Sequence, residues 1–152
     1  MFVNGAIEGV LIRELNQFRD SRGWLAETFR TDELGGYSPA MGYLSMTFPN
    51  ITRGPHEHRD QTDYFCFLGA FSLHLWDNRR ESPTYLKKMV INNADRLIVV
   101  VPSGVVHAYR NSGDSEGLVL NFPDRLYAGP GKKDPVDEIR HENNPDSPFA
   151  VT

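Results

Sequence analysis

Short apolar or alternating runs, each closed by turn-forming residues, follow one another along this chain, and that pattern limits its fold more than any other feature. The runs lie at Gly9 to Glu14, Trp24 to Phe29, Met41 to Phe48, Asp63 to Leu68, Phe71 to Trp76, Tyr85 to Ile91, Arg96 to Val101, Val105 to Arg110 and Gly117 to Phe122. In Phe71-Ser72-Leu73-His74-Leu75-Trp76 the apolar Phe71, Leu73 and Leu75 alternate with Ser72 and His74, the period of a strand. Turn signals stand at Pro49-Asn50, Asn78 to Pro83, Asn92-Asn93 and Asn111 to Asp114. The pattern leaves room for only brief helices, around Thr31 to Leu34 and Asp134 to Arg140. A parallel α/β sheet needs helices of ~10–15 residues between its strands. None fits here, so the chain is expected to be all-β: a sandwich, barrel or jelly roll.

At 152 residues the chain is expected to be a single domain, residues 1–152, able to bury a core without disulfide or metal staples. No apolar run is long enough to cross a bilayer, and Met1 to Glu8 has neither the basic start nor the apolar stretch of a secretory leader. The lone Cys66, set among Tyr64, Phe65, Phe67 and Leu68, reads as a buried structural thiol. These features predict a cytoplasmic protein with no membrane partner. A net charge of −4 argues against sequence-independent nucleic-acid binding, which needs a basic face. An anionic small ligand would have to be met by a few placed arginines. The Pro- and Gly-rich stretch Ala128 to Pro135 reads as a tethered tail segment.

Three of the five histidines fall into motifs. Arg53-Gly54-Pro55-His56-Glu57-His58 sets two histidines two residues apart, on one face of a strand. Pro102-Ser103-Gly104-Val105-Val106-His107-Ala108-Tyr109-Arg110-Asn111 reads Pro-x-Gly-x-x-His-x-x-x-Asn. The second segment resembles the second motif of the cupins, and His-x-His resembles the core of the first. Convergence of His56, His58 and His107 inside a barrel would serve either proton transfer or metal ligation. Metal cupins usually add a carboxylate seven residues before the glycine, which is Thr62 here, counting back from Gly69. Asp63 is one residue away and is expected to face the other side of its strand unless a bulge intervenes. The preferred expectation is therefore no metal, with His56, His58 and His107 as the alternative ligand set. His74 and His141 have no motif around them and are expected at the surface.

Joined to other segments, these motifs make most of the chain from Gly9 to Pro145 resemble the dTDP-4-dehydrorhamnose 3,5-epimerase family. The matching pieces are Asp20 to Phe29, the Arg53-Gly54-Pro55-His56 turn, Asp77 to Tyr85, Pro102 to Tyr109, and the tail from Ile139 to Pro145. The resemblance implies a cupin jelly-roll barrel (double-stranded β-helix) with an N-terminal strand extension and few short helices. It also implies a homodimer acting on a nucleotide-linked 4-keto-6-deoxy sugar without metal or organic cofactor. The chemistry removes a proton from carbon beside a ketone and returns one, which suits a base with pKa near neutrality. By resemblance His56 is that base and His107 lies beside the substrate. Arg53, Arg22 and Glu27 match positions that contact the nucleotide, Arg22 across the dimer interface.

Departures from the family pattern bear on mechanism. The family's tyrosine acid falls at Asn121, leaving a pocket residue of changed role, and its active-site lysine falls at Thr62. The carboxylate that orients the base belongs to a C-terminal extension which this chain, ending at Thr152, is expected not to reach. Tyr64, Tyr109 and Tyr127 could replace the acid, although each reads first as a packed aromatic. His58 adds a catalytic histidine and looks more like the related nucleotide-sugar 3,4-ketoisomerases. The leading expectation is an epimerase; the alternatives are a 3,4-ketoisomerase, a metal-dependent cupin enzyme and a non-catalytic sugar-nucleotide binding cupin.

Overall fold

The computed structural model describes residues 1–33 and 35–151, and among these the chain forms thirteen strands and one short 3₁₀ turn at Pro130–Lys132. In chain order the strands are β1 (Val3–Asn4), β2 (Leu11–Glu14), β3 (Gln17–Asp20), β4 (Gly23–Ala26), β5 (Tyr43–Thr47), β6 (Thr52–Glu57) and β7 (Asp63–Leu68). Then come β8 (Phe71–Asp77), β9 (Lys87–Ile91), β10 (Leu97–Val101), β11 (Val105–Asn111), β12 (Gly117–Asn121) and β13 (Ile139–Arg140). One sheet runs β1-β9-β8-β11-β6-β13, a second runs β2-β10-β7-β12-β5, and β3 and β4 form a separate hairpin. Every pairing is antiparallel except that of β1 with β9. The all-β class expected from the periodicity, and the cupin jelly roll that the resemblance implied, are the observed architecture. Among the described residues no helix is long and apolar enough to cross a membrane.

Alternation dictates which side chains meet between the sheets. Phe65 and Phe67 of β7, Leu73 and Leu75 of β8, Val99 and Val101 of β10, Tyr109 of β11 and Val119 of β12 fill the interior. Each large apolar side chain fully withdrawn from water contributes roughly 1.5–3 kcal/mol. The intervening residues are also covered. Tyr64, Cys66, Ile98 and Val100 are buried under Leu15, Phe29 and Tyr37, and Trp76, Val106 and Ala108 under Phe2 and Phe149. Cys66 is thus a buried thiol.

That outer covering corrects two expectations. His74 is buried and stacked on Trp76, and His141 is half-buried, its Nε2 2.8 Å from Glu57 Oε1 and its ring against Phe149. Neither is a free surface residue, because the two ends of the chain fold back over the six-stranded sheet. The helix expected over Asp134 to Arg140 is also absent: the segment is extended and ends in β13, paired with β6. At the other proposed helix, residues 31–33 form a turn, and Leu34 lies outside the described residues.

The register that matters for the site joins β6 to β11, with His56 opposite His107 and Arg53 opposite Tyr109. Three steps along β6 match two along β11, so β6 carries an extra residue around Gly54 and Pro55. Gly54 has φ +84°, and a Cβ there would stand 2.5 Å from the His107 carbonyl oxygen. Only glycine lets the strands approach this closely. Gly54→Ala is therefore expected to lower stability by roughly 1–3 kcal/mol, read as an earlier urea midpoint; an unchanged midpoint would contradict this account of the strand register.

Candidate active site

A cavity of about 740 Å³ opens at one end of the barrel. Its wall includes Arg53, His56 and His58 from the β6 segment, Tyr43 from β5, Tyr109 from β11, and the segment Asp134 to Glu138. His56, His58 and His107 come together at its base. The ring centres of His56 and His107 are 4.4 Å apart, and each lies 5.8 Å from that of His58.

Asp63 organises this cluster from below. Its side chain is buried and inward, in phase with Phe65 and Phe67, without the bulge that the sequence reading required. Counting back from Gly69 selected Thr62; the core phase of β7 selects Asp63. Asp63 Oδ2 lies 3.2 Å from His58 Nε2 and 3.4 Å from His107 Nε2. Asp63 Oδ1 accepts hydrogen bonds from Asn121 Nδ2 at 2.7 Å and Gln61 Nε2 at 2.8 Å. Burial alone would make this carboxyl hard to ionise, but the hydrogen bond with His58 and the nearby imidazoles outweigh it and hold it below the usual carboxylate range. Burial likewise disfavours charge on His58, and here too the bond to Asp63 wins, raising its basicity.

His56 differs in its surroundings. Burial, reinforced by the rings of His107 and His58, pulls its basicity well below that of an ordinary imidazole, so it is unprotonated near neutral pH. Its Nε2 stands 3.9 Å from Glu138 Oε1. Glu138 is a different carboxylate from the one expected on a C-terminal extension, and at this distance it is an electrostatic neighbour without a hydrogen bond to the ring. Glu138 comes from the extended segment before β13. Asp137 fixes that segment by accepting hydrogen bonds from the backbone N–H groups of Arg59, Asp60 and Gln61 at 2.8, 2.9 and 2.9 Å. Its carbonyl oxygen also receives His58 Nδ1.

The remaining expected residues divide. Arg53 lines the cavity, braced by Thr47 Oγ1 at 2.9 Å and the Met46 carbonyl at 2.8 Å. Asn121 lies behind the wall, its amide shared between Asp63, the Tyr43 hydroxyl and the Tyr64 backbone N–H. Arg22 sits on the exposed β3–β4 turn, bonded to Asp20, and Glu27 pairs with Arg30 beside a separate shallow groove. Within one chain neither reaches the cavity. Tyr109 and Tyr127 line it, whereas Tyr64 packs on the far side of β7. Sequence reasoning missed Tyr43, Arg125 and Glu138. Tyr43 was discoverable, since it is the register partner of Asn121 on the neighbouring strand.

Comparison with known proteins gives a consistent picture. The sequence model of the dTDP-4-dehydrorhamnose 3,5-epimerase family matches residues 4–131. The chain is 35% identical over 126 residues to the probable low-salt glycan biosynthesis epimerase Agl13 of Haloferax volcanii, covering 80% of this chain and 81% of that protein. It is 28% identical over 124 residues to the spore coat polysaccharide biosynthesis protein SpsL of Bacillus subtilis, covering 80% and 82%. Its fold is similar to that of a dTDP sugar isomerase from Desulfovibrio desulfuricans G20, with a TM-score of 0.81, 23% identity, and 95% and 91% of the two chains covered.

Because the Asp137 carboxylate ties the segment carrying Glu138 to the turn after His58, Asp137→Ala is expected to cost about 1–3 kcal/mol. It should also accelerate amide hydrogen exchange at Arg59, Asp60 and Gln61. Unchanged exchange at those three amides would contradict the clamp.

Proposed function

The chain belongs to the dTDP-4-dehydrorhamnose 3,5-epimerase family, and from that membership we propose that it is an isomerase inverting carbon beside the ketone of a dTDP-linked 4-keto-6-deoxy sugar. The observation that carries this reading is the placement of His56: an imidazole on the wall of a large cavity, with Glu138 Oε1 3.9 Å from its Nε2 on the same wall. An imidazole so placed takes the proton on carbon, and the carboxylate stabilises the imidazolium that results. Arg53 and Arg125 line the same cavity and supply the forked donors that a diphosphate needs.

Inversion also requires an acid on the opposite face of the sugar. Asn121 cannot donate a proton in that role, but Tyr43, its cross-strand partner, lines the cavity. The Tyr43 hydroxyl accepts from Asn121 Nδ2 at 3.0 Å, which leaves its own hydrogen free to donate. We assign the returning proton to Tyr43. His58 is committed on both ring nitrogens, to Asp63 and to the Asp137 carbonyl, which favours epimerisation at His56 over a two-histidine ketoisomerisation.

The same reading includes a homodimer in the cytoplasm. Phe18, Trp24 and Leu25 expose much of their surface on a hairpin outside both sheets, an unusual concentration of apolar area around Arg22. A partner seated there would bring Arg22 and Glu27 to bear on a second cavity. Light scattering is expected to give twice the monomer mass, falling to the monomer in Trp24→Glu; a monomeric parent protein would contradict the dimer.

The catalytic assignment is tested by following the epimer product with a dTDP-linked 4-keto-6-deoxyhexose as substrate. His56→Ala is expected to slow product formation by at least about 100-fold, and Glu138→Gln and Tyr43→Phe by smaller factors. Full activity in His56→Ala would overturn the role of this residue, and absence of any epimer with the parent protein would overturn the reading.

A further inference from the structure

We propose that His141 is a positioning residue for the epimerase chemistry: bonded to Glu57 on the back of β6, it fixes the segment that carries Glu138 beside His56. This role rests on the reading of His56 as base, and it names what holds the neighbouring carboxylate in place.

Successive residues of a strand point to opposite faces of its sheet. His56 and His58 line the cavity, so Glu57, between them, points to the outer face, where Trp76, Val106 and Ala108 lie under Phe2 and Phe149. Glu57 is buried there. The proton transfers assigned to His56 and Tyr43 give it no task, and burying a polar group costs free energy unless it is hydrogen-bonded. Two side chains meet its Oε1: Asn78 Nδ2 at 2.9 Å, from the turn after β8, and His141 Nε2 at 2.8 Å, from the residue after β13. The Asn78 backbone N–H is itself bonded to the Gly104 carbonyl, and the His141 ring packs on Phe149 with centres 4.6 Å apart. Glu57 thus joins the body of the sheet to the segment that follows Glu138.

That segment has few apolar anchors. Val136 is exposed and Ile139 only half-buried. β13 is an edge strand of two residues, with Ile139 opposite Glu57 and Arg140 opposite His56. Asp137 holds the chain ahead of Glu138. After it, the backbone N–H groups of His141 and Glu142 share the Pro55 carbonyl at 2.9 and 3.1 Å, and the His141 ring reaches Glu57. Amides sharing one carbonyl allow pivoting about it; the ring bond adds a second fixed point on the same strand. Arg140 Nε holds Glu138 Oε2 at 2.7 Å, which turns Oε1 toward His56. At 3.9 Å without a hydrogen bond, the effect of Glu138 on the imidazolium is Coulombic and depends on separation and on the exclusion of water. Loss of the ring bond therefore weakens the chemical step and spares the arginines that face the diphosphate.

The test compares His141→Ala with His141→Gln, whose amide N–H still reaches Glu57. With the dTDP-linked 4-keto-6-deoxyhexose, His141→Ala is expected to lower kcat roughly tenfold while KM changes less than about twofold, and His141→Gln to recover most of the loss. Adding His141→Ala to Glu138→Gln should cost little beyond Glu138→Gln alone, because one acts through the other. Phe2→Ala loosens the same outer cover without touching Glu57, and should lower the urea midpoint and leave kcat unchanged. With no sugar present, His141→Ala should speed amide exchange at Glu142 and shift the ring-proton resonances of His56, so positioning is measured even if the parent protein proves inactive on this substrate. Unchanged kcat in folded His141→Ala, the same loss in His141→Gln or in Phe2→Ala, additive losses in the double variant, or His56 resonances that stay in place would each overturn the proposal.

Discussion

Asp63 keeps an ionised carboxylate inside a barrel otherwise packed with phenylalanine, leucine and valine. Withdrawing such a charge from water costs several kcal/mol unless every lone pair is matched, so the residues around it are constrained together. One oxygen takes two amide hydrogens, from Asn121 on β12 and Gln61 before β7. The other faces His58 after β6 and His107 on β11. Asn121 in turn holds the Tyr43 hydroxyl on β5 and the Tyr64 backbone. Strands of both sheets are thereby tied to one buried group, and the cavity wall above it inherits its shape.

The three histidines, alike in sequence, acquire different tasks from this arrangement. His58 and His107 turn inward to Asp63 and are immobilised through Nδ1. His56 faces the cavity, with Glu138 on its outer side. Desolvation without a close anionic hydrogen-bond partner leaves His56 neutral and less basic than an ordinary imidazole, whereas the same burial beside Asp63 leaves His58 basic.

Much of this was legible in the sequence because strands with a buried face impose a two-residue period. Each apolar run became a strand, trimmed by a residue or more at its ends in most cases. β6 has no such period, since Arg53-Gly54-Pro55-His56 faces a polar cavity, and its histidine motif marked the strand where hydrophobicity could not. The same alternation held the correct phase of Asp63: Asp63, Phe65 and Phe67 share a face, and counting from Gly69 obscured it. Glu138 was hidden for a different reason. Asp134 to Arg140 has a composition compatible with a helix, and what holds it extended is remote: the capture of Asp137 by three backbone N–H groups and the pairing of β13 with β6, contacts that no local pattern announces. The placement of Tyr43 beside Asn121 across a strand pair likewise needs the register to be seen.

Removal of a proton by His56 on one face and its return from Tyr43 on the other is the central claim, and solvent isotope wash-in separates the two steps. With the dTDP-linked 4-keto-6-deoxy sugar in deuterated buffer, NMR reads deuterium at the carbon next to the ketone independently of inversion. The account requires deuterium to enter with the parent protein and to keep entering in Tyr43→Phe, where His56 still exchanges its proton with solvent while inversion stalls. A parent protein that leaves both carbons beside the ketone fully protonated would contradict it.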